Sequence, residues 1–517
     1  MDGMASKGIN PFLIRIFVSL FIFFFVFSIP LDYSLNKYGG TYVHRPDTSS
    51  YLSLSLSPSI LLSLDPWKSA RAPGYGLFLY AFLEPHKKEL ANAFKKAGKL
   101  PPSEVFAVGK RLPEFINGEG LQGVFDNIVL AQRLLLSIGA AFLVYACSLY
   151  INALVVGACF FLGVQVTPLV NVSMLLTESV AQPLSFFAVG LLLLYFKKRN
   201  FFLLFLAALC ASALYLVRPA GIYMLGLGGI CWFYFFWEAR FRHVFKFLLA
   251  ATGFLPAVAY IGYISLTSGH LFFGTHPQGS DLQFSSYYLQ KEDMGNMPTL
   301  RSREYARIFL DKVELWKKEN ATSAFGPDFK EWPRTKSFGY VYNTTVWPLT
   351  YGPEGEVWAE LAKNPRIGPL SLKEMVKTGR ELKIGMLMRH TGDRIKTVGC
   401  NILAGLGYYR DYRSSSLWAY GLPLIMGAWG AWCLGLLLCP QVRFCLFLPG
   451  AAHLLHVFVI SYGNFILPRY IDLTETLFIF AVFLSLWALG SRLWQFCGTT
   501  RPERRKEPLR PSVIISG

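Results

Sequence analysis

Long apolar runs recur along this chain and constrain its fold more than any other feature. The first covers residues 11–30, is rich in Phe and has Lys7 and Arg15 near its start. A helix needs about 20 mostly apolar residues to cross a bilayer. By that criterion further runs fall at 132–151, 153–175, 180–196, 201–217, 221–237, 247–266, 416–438, 444–462 and 473–493. That makes about ten predicted spans. The break between Ile151 and Ala153 is the least marked boundary. No convincing small-residue cleavage site follows the first run, so it reads as a retained anchor.

Composition agrees. Of 517 residues, 53% are hydrophobic and 16% charged, against roughly 25% charged in an ordinary soluble domain. Such a chain cannot cover a water-facing surface in the usual way, which excludes disorder, a secreted disulfide scaffold and a plain soluble enzyme. Fifty Lys and Arg against 32 Asp and Glu leave a net charge of +18. The basic residues gather at the ends of apolar runs, which points to anionic lipid and away from nucleic acid. The nine Cys lie mostly inside apolar stretches (Cys147, Cys159, Cys210, Cys231 and Cys433 among them) and show no CxxC spacing. They read as small hydrophobes, not as a zinc site or a disulfide framework.

Orientation follows from the basic loops. With a cytoplasmic N-terminus, Lys197-Lys198-Arg199, the stretch from Arg240 to Lys246, Arg443 and the tail Arg501-Pro-Glu-Arg-Arg-Lys506 all fall inside. The predicted organisation is a cytoplasmic N-terminus and first span (1–30), a first extracytoplasmic loop (31–131), spans two to seven (132–266), a large extracytoplasmic loop or domain (267–415), three last spans (416–497) and a basic cytoplasmic tail (498–517). Ser371-Leu-Lys-Glu374 predicts a capping box opening a helix in the large loop. Only Cys400 lies there, so no internal disulfide staples it.

Candidate chemistry gathers at the outer ends of the spans. The first loop carries Asp47-Thr-x-x-Tyr51 and then Arg71-x-Pro-Gly-Tyr75. Asp47 follows a proline and precedes a helix-compatible run, so it reads equally as an N-cap. Thr177-Glu178 opens a span, where a carboxylate is cheap at the interface and functional if it points inward. Arg218-Pro219-x-Gly221 and Arg469-Tyr470 place arginines at outer ends, against the positive-inside trend. Snorkelling toward lipid phosphate explains either arginine alone. His453 and His456, spaced i,i+3 within a span, read as buried hydrogen-bonded side chains in preference to metal ligands.

In this order the five motifs resemble the polytopic GT-C glycosyltransferases, in particular the group of protein O-mannosyltransferases and lipid A aminoarabinose transferases. The resemblance covers roughly residues 10–270 and 415–490, and the large loop resembles nothing in it. It implies an all-α integral membrane bundle of GT-C type with a mixed extracytoplasmic domain. It also implies a polyprenyl-phosphate-linked sugar as donor. On that resemblance Asp47 takes the catalytic acidic position, with Asp32 the alternative, and Arg71 takes the basic position near the lipid phosphate. Arg218 and Arg469 become phosphate or substrate contacts. Tyr51 and Tyr75 stack on or hydrogen-bond the sugar, Tyr470 stands beside Arg469, and Glu178 orients the acceptor, holds a cation or supports an arginine.

Some members of the group use a divalent metal; Asp47 with Glu178 would offer it oxygen ligands, but no metal or other cofactor is expected here. The expected partners are the lipid-linked donor, membrane lipid and an acceptor glycan, lipid or protein, with no nucleic acid. The expected location is multi-pass, in a bacterial inner membrane, with the active site extracytoplasmic. Rival readings are a transporter or flippase of a lipid-linked anion, a noncatalytic receptor or scaffold, and a glycan polymerase or ligase.

Overall fold

The structure, a computed structural model, describes residues 10–29, 48–56, 72–97, 115–167, 175–239, 243–268, 271, 289–319, 357–358, 360–368, 371–406, 422–463 and 468–499. These residues form helices and turns, with no strand among them. Seven helices are long and apolar enough to cross a membrane: Pro11–Ser28, Gln122–Cys147, Glu178–Lys198, Pro219–Glu238, Val244–Leu266, Pro440–Ser461 and Leu473–Gln495. The other three predicted spans correspond to shorter apolar helices, Ala153–Val166, Phe201–Val217 and Leu424–Leu438. The described residues thus form an all-α bundle, that of a multi-pass membrane protein.

Several boundaries differ from the predicted ones. The expected span 132–151 is a helix from Gln122 to Cys147, because hydropathy marks the lipid-facing part of a helix, not its end. The expected span 153–175 stops at Val166, where Thr167 turns extended (φ −118°) and its N–H caps back to Gly163. The expected span 247–266 is two helices, Val244–Ala251 and Leu255–Ser268, joined by a 3₁₀ turn. Of the helix expected from 416, the described part is Leu422–Leu438, and 416–421 lie outside the described residues.

The helix Glu178–Lys198 is the centre of the bundle: 83% of its apolar window is buried, against 17% for Pro11–Ser28 at the periphery. It packs along Gln122–Cys147 on one side and Phe201–Val217 on the other. Phe160 joins the layers, edge-on to both Phe186 and Phe480. Large apolar side chains point outward instead of hiding, among them Phe17, Phe245, Leu249, Leu266 and Trp494. That inversion of the soluble pattern is what a lipid solvent permits.

One end of the bundle is basic and made of tight turns. Helices beginning at Pro11, Ala153 and Phe201 are each capped by the preceding asparagine, whose side chain accepts the N–H two residues on at 2.9, 2.9 and 3.0 Å. Arg199 ends the central helix in the left-handed region (φ 53°), so Lys197-Lys198-Arg199-Asn200 stops one helix and starts the next. Cations here also suit the negative end of the central helix dipole. Arg15 Nε donates to the Ser148 carbonyl, Lys197 lies over the Tyr150 ring and Arg199 pairs with Glu238.

The opposite end carries the long connections. Of the expected 267–415 domain, the described residues are helical or in turns, with Leu300–Glu319 and Leu372–Gly405 the main elements. The predicted cap at Ser371 forms by a different route: the Ser371 N–H and hydroxyl both donate to one Glu374 carboxylate oxygen, at 2.8 and 2.7 Å. The long helix kinks at His390, whose Nε2 lies 3.1 Å from the fully buried Asp293. Past the kink it packs on the Arg443–Gly463 helix.

Candidate functional site

The site grows from two backbone contacts that require glycine. A Cβ on Gly74 would come within 2.7 Å of the backbone at Leu216 and Val217. The Pro-Gly start of helix Pro73–Leu83 therefore presses directly on the end of the Phe201–Val217 helix. Gly221 is held as tightly: its Cβ would meet Leu214 backbone atoms at 2.9 Å, and its N–H donates to the Arg218 carbonyl. Pro219 opens this short 3₁₀ turn, and Arg218 stands before it in extended conformation (φ −149°). The turn directs the Arg218 side chain inward.

There it meets Glu178. Arg218 Nη1 lies 2.6 Å from a Glu178 oxygen, and both residues are buried, at 8% and 6% exposure. Thr177 Oγ1 donates to the other Glu178 oxygen at 2.9 Å and accepts from Arg218 Nη1 at 3.4 Å. Glu178 is also in the first turn of its helix, where the helix dipole favours negative charge. A buried ion pair stabilises little, because desolvation offsets the attraction.

The first-loop motifs arrive beside this pair. Thr48, the residue after Asp47, is buried and its hydroxyl donates to the Leu175 carbonyl at 3.2 Å, two residues before Thr177. The described part of the expected helix is Thr48–Ser55. Tyr51 packs edge-on against Tyr75, ring centroids 5.2 Å apart. The Tyr75 hydroxyl donates to Gln132 Oε1 at 2.8 Å. Burial above all, and then the neighbouring Tyr51 and Glu178, push the Tyr75 hydroxyl well above its ordinary pKa. It therefore stays a protonated donor.

Tyr51, Tyr75, Glu178 and Arg218 are thus brought together. Asp47, Arg71 and Asp32 lie outside the described residues. Arg469 and Tyr470 lie in the helix Pro468–Thr499, and their side chains are outside what is described. Tyr51 and Tyr75 are both buried, with their rings edge-on to each other.

Several site residues were not singled out from the sequence. Gln182 and Ser185 continue the line of Glu178 at i+4 and i+7, all buried. Tyr223, four residues past Pro219, shares a 2.7 Å hydroxyl contact with Ser185. Polar residues at helical spacing inside an apolar run were the available signal. His453 and His456 are buried, and both Nδ1 atoms contact Thr474 Oγ1, as the hydrogen-bonded reading expected. No group of three or more His, Cys, Asp or Glu side chains placed to hold a metal occurs among the described residues. Compared with protein-family models, curated proteins and solved structures, the chain has no match in any of the three.

Proposed function

We propose that this chain is an inverting membrane glycosyltransferase that moves a sugar from a polyprenyl-phosphate donor to an acceptor hydroxyl on the extracytoplasmic face. The observation that carries the reading is the convergence of segments far apart in sequence: Thr48–Tyr51, Gly74–Tyr75, Thr177–Glu178 and Arg218 meet at the end of the bundle opposite the basic turns. Cytoplasmic placement of the basic turns puts that convergence outside. A bacterial inner membrane is the expected compartment.

The chemistry asks little else of the protein. A phosphate leaves readily once cations neutralise it, so one carboxylate suffices where a glycosidase generally uses two. Asp47 takes the proton from the acceptor hydroxyl. The acceptor oxygen attacks the anomeric carbon as the bond to phosphate breaks, and the electron pair leaves on the lipid phosphate. In-line attack inverts the anomeric centre. Arg71 and Arg218 bind the phosphate oxygens, which guanidinium does with two donors at once. Glu178 sets the Arg218 head group in place.

The test is turnover of a panel of polyprenyl-phosphate sugars by the purified protein, with free polyprenyl phosphate as the readout. Wild type releases it, and Asp47→Asn slows release by about 10²–10⁴-fold while inserting and folding normally. Near-normal turnover by Asp47→Asn removes Asp47 from the role of base. Flux of the lipid across proteoliposomes without a covalent product identifies a carrier.

A further inference from the structure

Beneath the Glu178–Arg218 pair the bundle keeps a column of polar side chains where lipid-embedded helices ordinarily place apolar ones. Glu178, Gln182 and Ser185 lie along one buried face, a stripe of roughly 10 Å at helical rise. Ser185 reaches Tyr223, and the Tyr223 ring lies 4.5 Å from that of His456. His456 and His453, one turn apart, converge on Thr474, whose Oγ1 lies 2.8 and 3.1 Å from their Nδ1 atoms. The Pro219–Gly221 turn that follows Arg218 packs against the Arg443–Gly463 helix, which carries both histidines. Four helices therefore contribute to one buried polar cluster.

A threonine hydroxyl has one proton to give. Assigned to the shorter contact, it goes to His456 Nδ1, and the ring then carries its own proton on Nε2. A doubly protonated ring donates from Nε2 as well. His456 is fully buried, and its Nε2 has no hydrogen-bond partner among the described residues. A buried donor left unmade is penalised, and inside a membrane bundle such a group marks a site where a polar ligand arrives.

We infer that His456 Nε2–H is a second donor to the phosphate of the lipid-linked substrate, which seats between this atom and the Arg218 guanidinium. An anion fits because both groups offer donors and no acceptor. This inference rests on the lipid-phosphate reading of the site. It adds a residue from the Arg443–Gly463 helix, far along the chain from the first-loop motifs.

Asn and Gln separate a ligand contact from a structural one. A Gln amide nitrogen reaches about the position of Nε2, whereas an Asn amide stays near that of Nδ1 and keeps the Thr474 contact. The probe is farnesyl phosphate, titrated onto the full-length protein in phosphatidylcholine nanodiscs, with inorganic phosphate and phosphatidylglycerol as parallel arms. Wild type is expected to bind the probe, His456→Gln to stay within about threefold, and His456→Asn to weaken by roughly tenfold or more, the loss of one hydrogen bond to a charged group.

The same His456 dependence for inorganic phosphate or phosphatidylglycerol supports the contact and names the source of the phosphate. The reverse order, with His456→Asn intact and His456→Gln impaired, makes His456 a structural residue and overturns the inference. So does equal binding by all three proteins, and in both cases the lipid-phosphate site stands. A wild type that binds no farnesyl phosphate overturns both. Should His456→Asn fail to fold, Thr474→Val removes the hydroxyl that sets the tautomer. Several-fold weaker binding is then expected, and unchanged binding overturns the inference.

Discussion

One Arg–Glu pair at each end of the helical bundle, Arg199–Glu238 and Arg218–Glu178, invites comparison. At the basic end Arg199 and Glu238 face each other with two parallel hydrogen bonds of 2.9 Å, and their side chains are 49% and 43% exposed. At the other end Arg218 and Glu178 meet at 2.6 Å with side chains only 10% and 8% exposed. The first pair has the better geometry and contributes little, because water and salt screen it. The second is desolvated, and removing one partner strands a charge. Burial, not bonding, decides which pair matters.

The comparison breaks most readily on stability. Glu178→Gln is expected to destabilise the protein by about 3–5 kcal/mol, and Glu238→Gln by about 0–1 kcal/mol, both read by thermal unfolding in one detergent. Equal losses would erase the distinction between the ends. Next in size is Gly74→Ala, which forces a methyl group onto the Leu216–Val217 backbone at a cost of about 1–3 kcal/mol. Gly229, on an open helix face, is the control: Gly229→Ala should stabilise by roughly 0.5–1 kcal/mol. Gly74→Ala should also move Arg218, so its turnover falls more than its stability alone explains.

The smallest effect concerns the helix cap at Glu374. The Ser371 side chain and N–H, and then Arg301, lower the Glu374 carboxyl below its ordinary pKa. A folded pKa below the unfolded one means the cap is complete above the ordinary carboxylate value and is lost as pH falls through the depressed one. Hydrogen exchange at residues 372–375 should accelerate over that acid range, and Glu374→Gln should flatten the response. A response unchanged in Glu374→Gln assigns it to another group.

The bundle was legible because lipid imposes a length on apolar runs, and that length is written in composition. Its errors have the same origin. Gly123, Asp126 and Asn127 lower the mean hydropathy ahead of residue 132, so it began a helix at 132 that in fact starts at Gln122. It also ran through Thr167, where the backbone turns extended, because a hydropathy window does not register φ and ψ.

The site was legible only in parts. Glu178 and Arg218 were each recognised, but a pair separated by forty positions in sequence gives no local sign that its members touch. Gly74 looked like turn chemistry, and only packing reveals that it admits another backbone. The Gln182 and Ser185 stripe was readable in principle from its helical spacing. The His453 and His456 pair read correctly as hydrogen-bonded, while its shared partner Thr474 came from another helix. Asp47 and Arg71 lie outside the described residues, so their part in the account rests on chemistry and on neighbours Thr48 and Ala72, both buried.

One measurement weighs the two ends against each other most directly. Release of polyprenyl phosphate from a polyprenyl-phosphate sugar is followed for wild type, Arg199→Ala and Arg218→Ala, reconstituted at equal amounts of folded protein. Wild type and Arg199→Ala should turn over alike. Arg218→Ala should lose about 10²-fold or more, as expected when a donor to developing charge is removed. A wild type that releases nothing, or an Arg199→Ala variant as damaged as Arg218→Ala, would contradict the account.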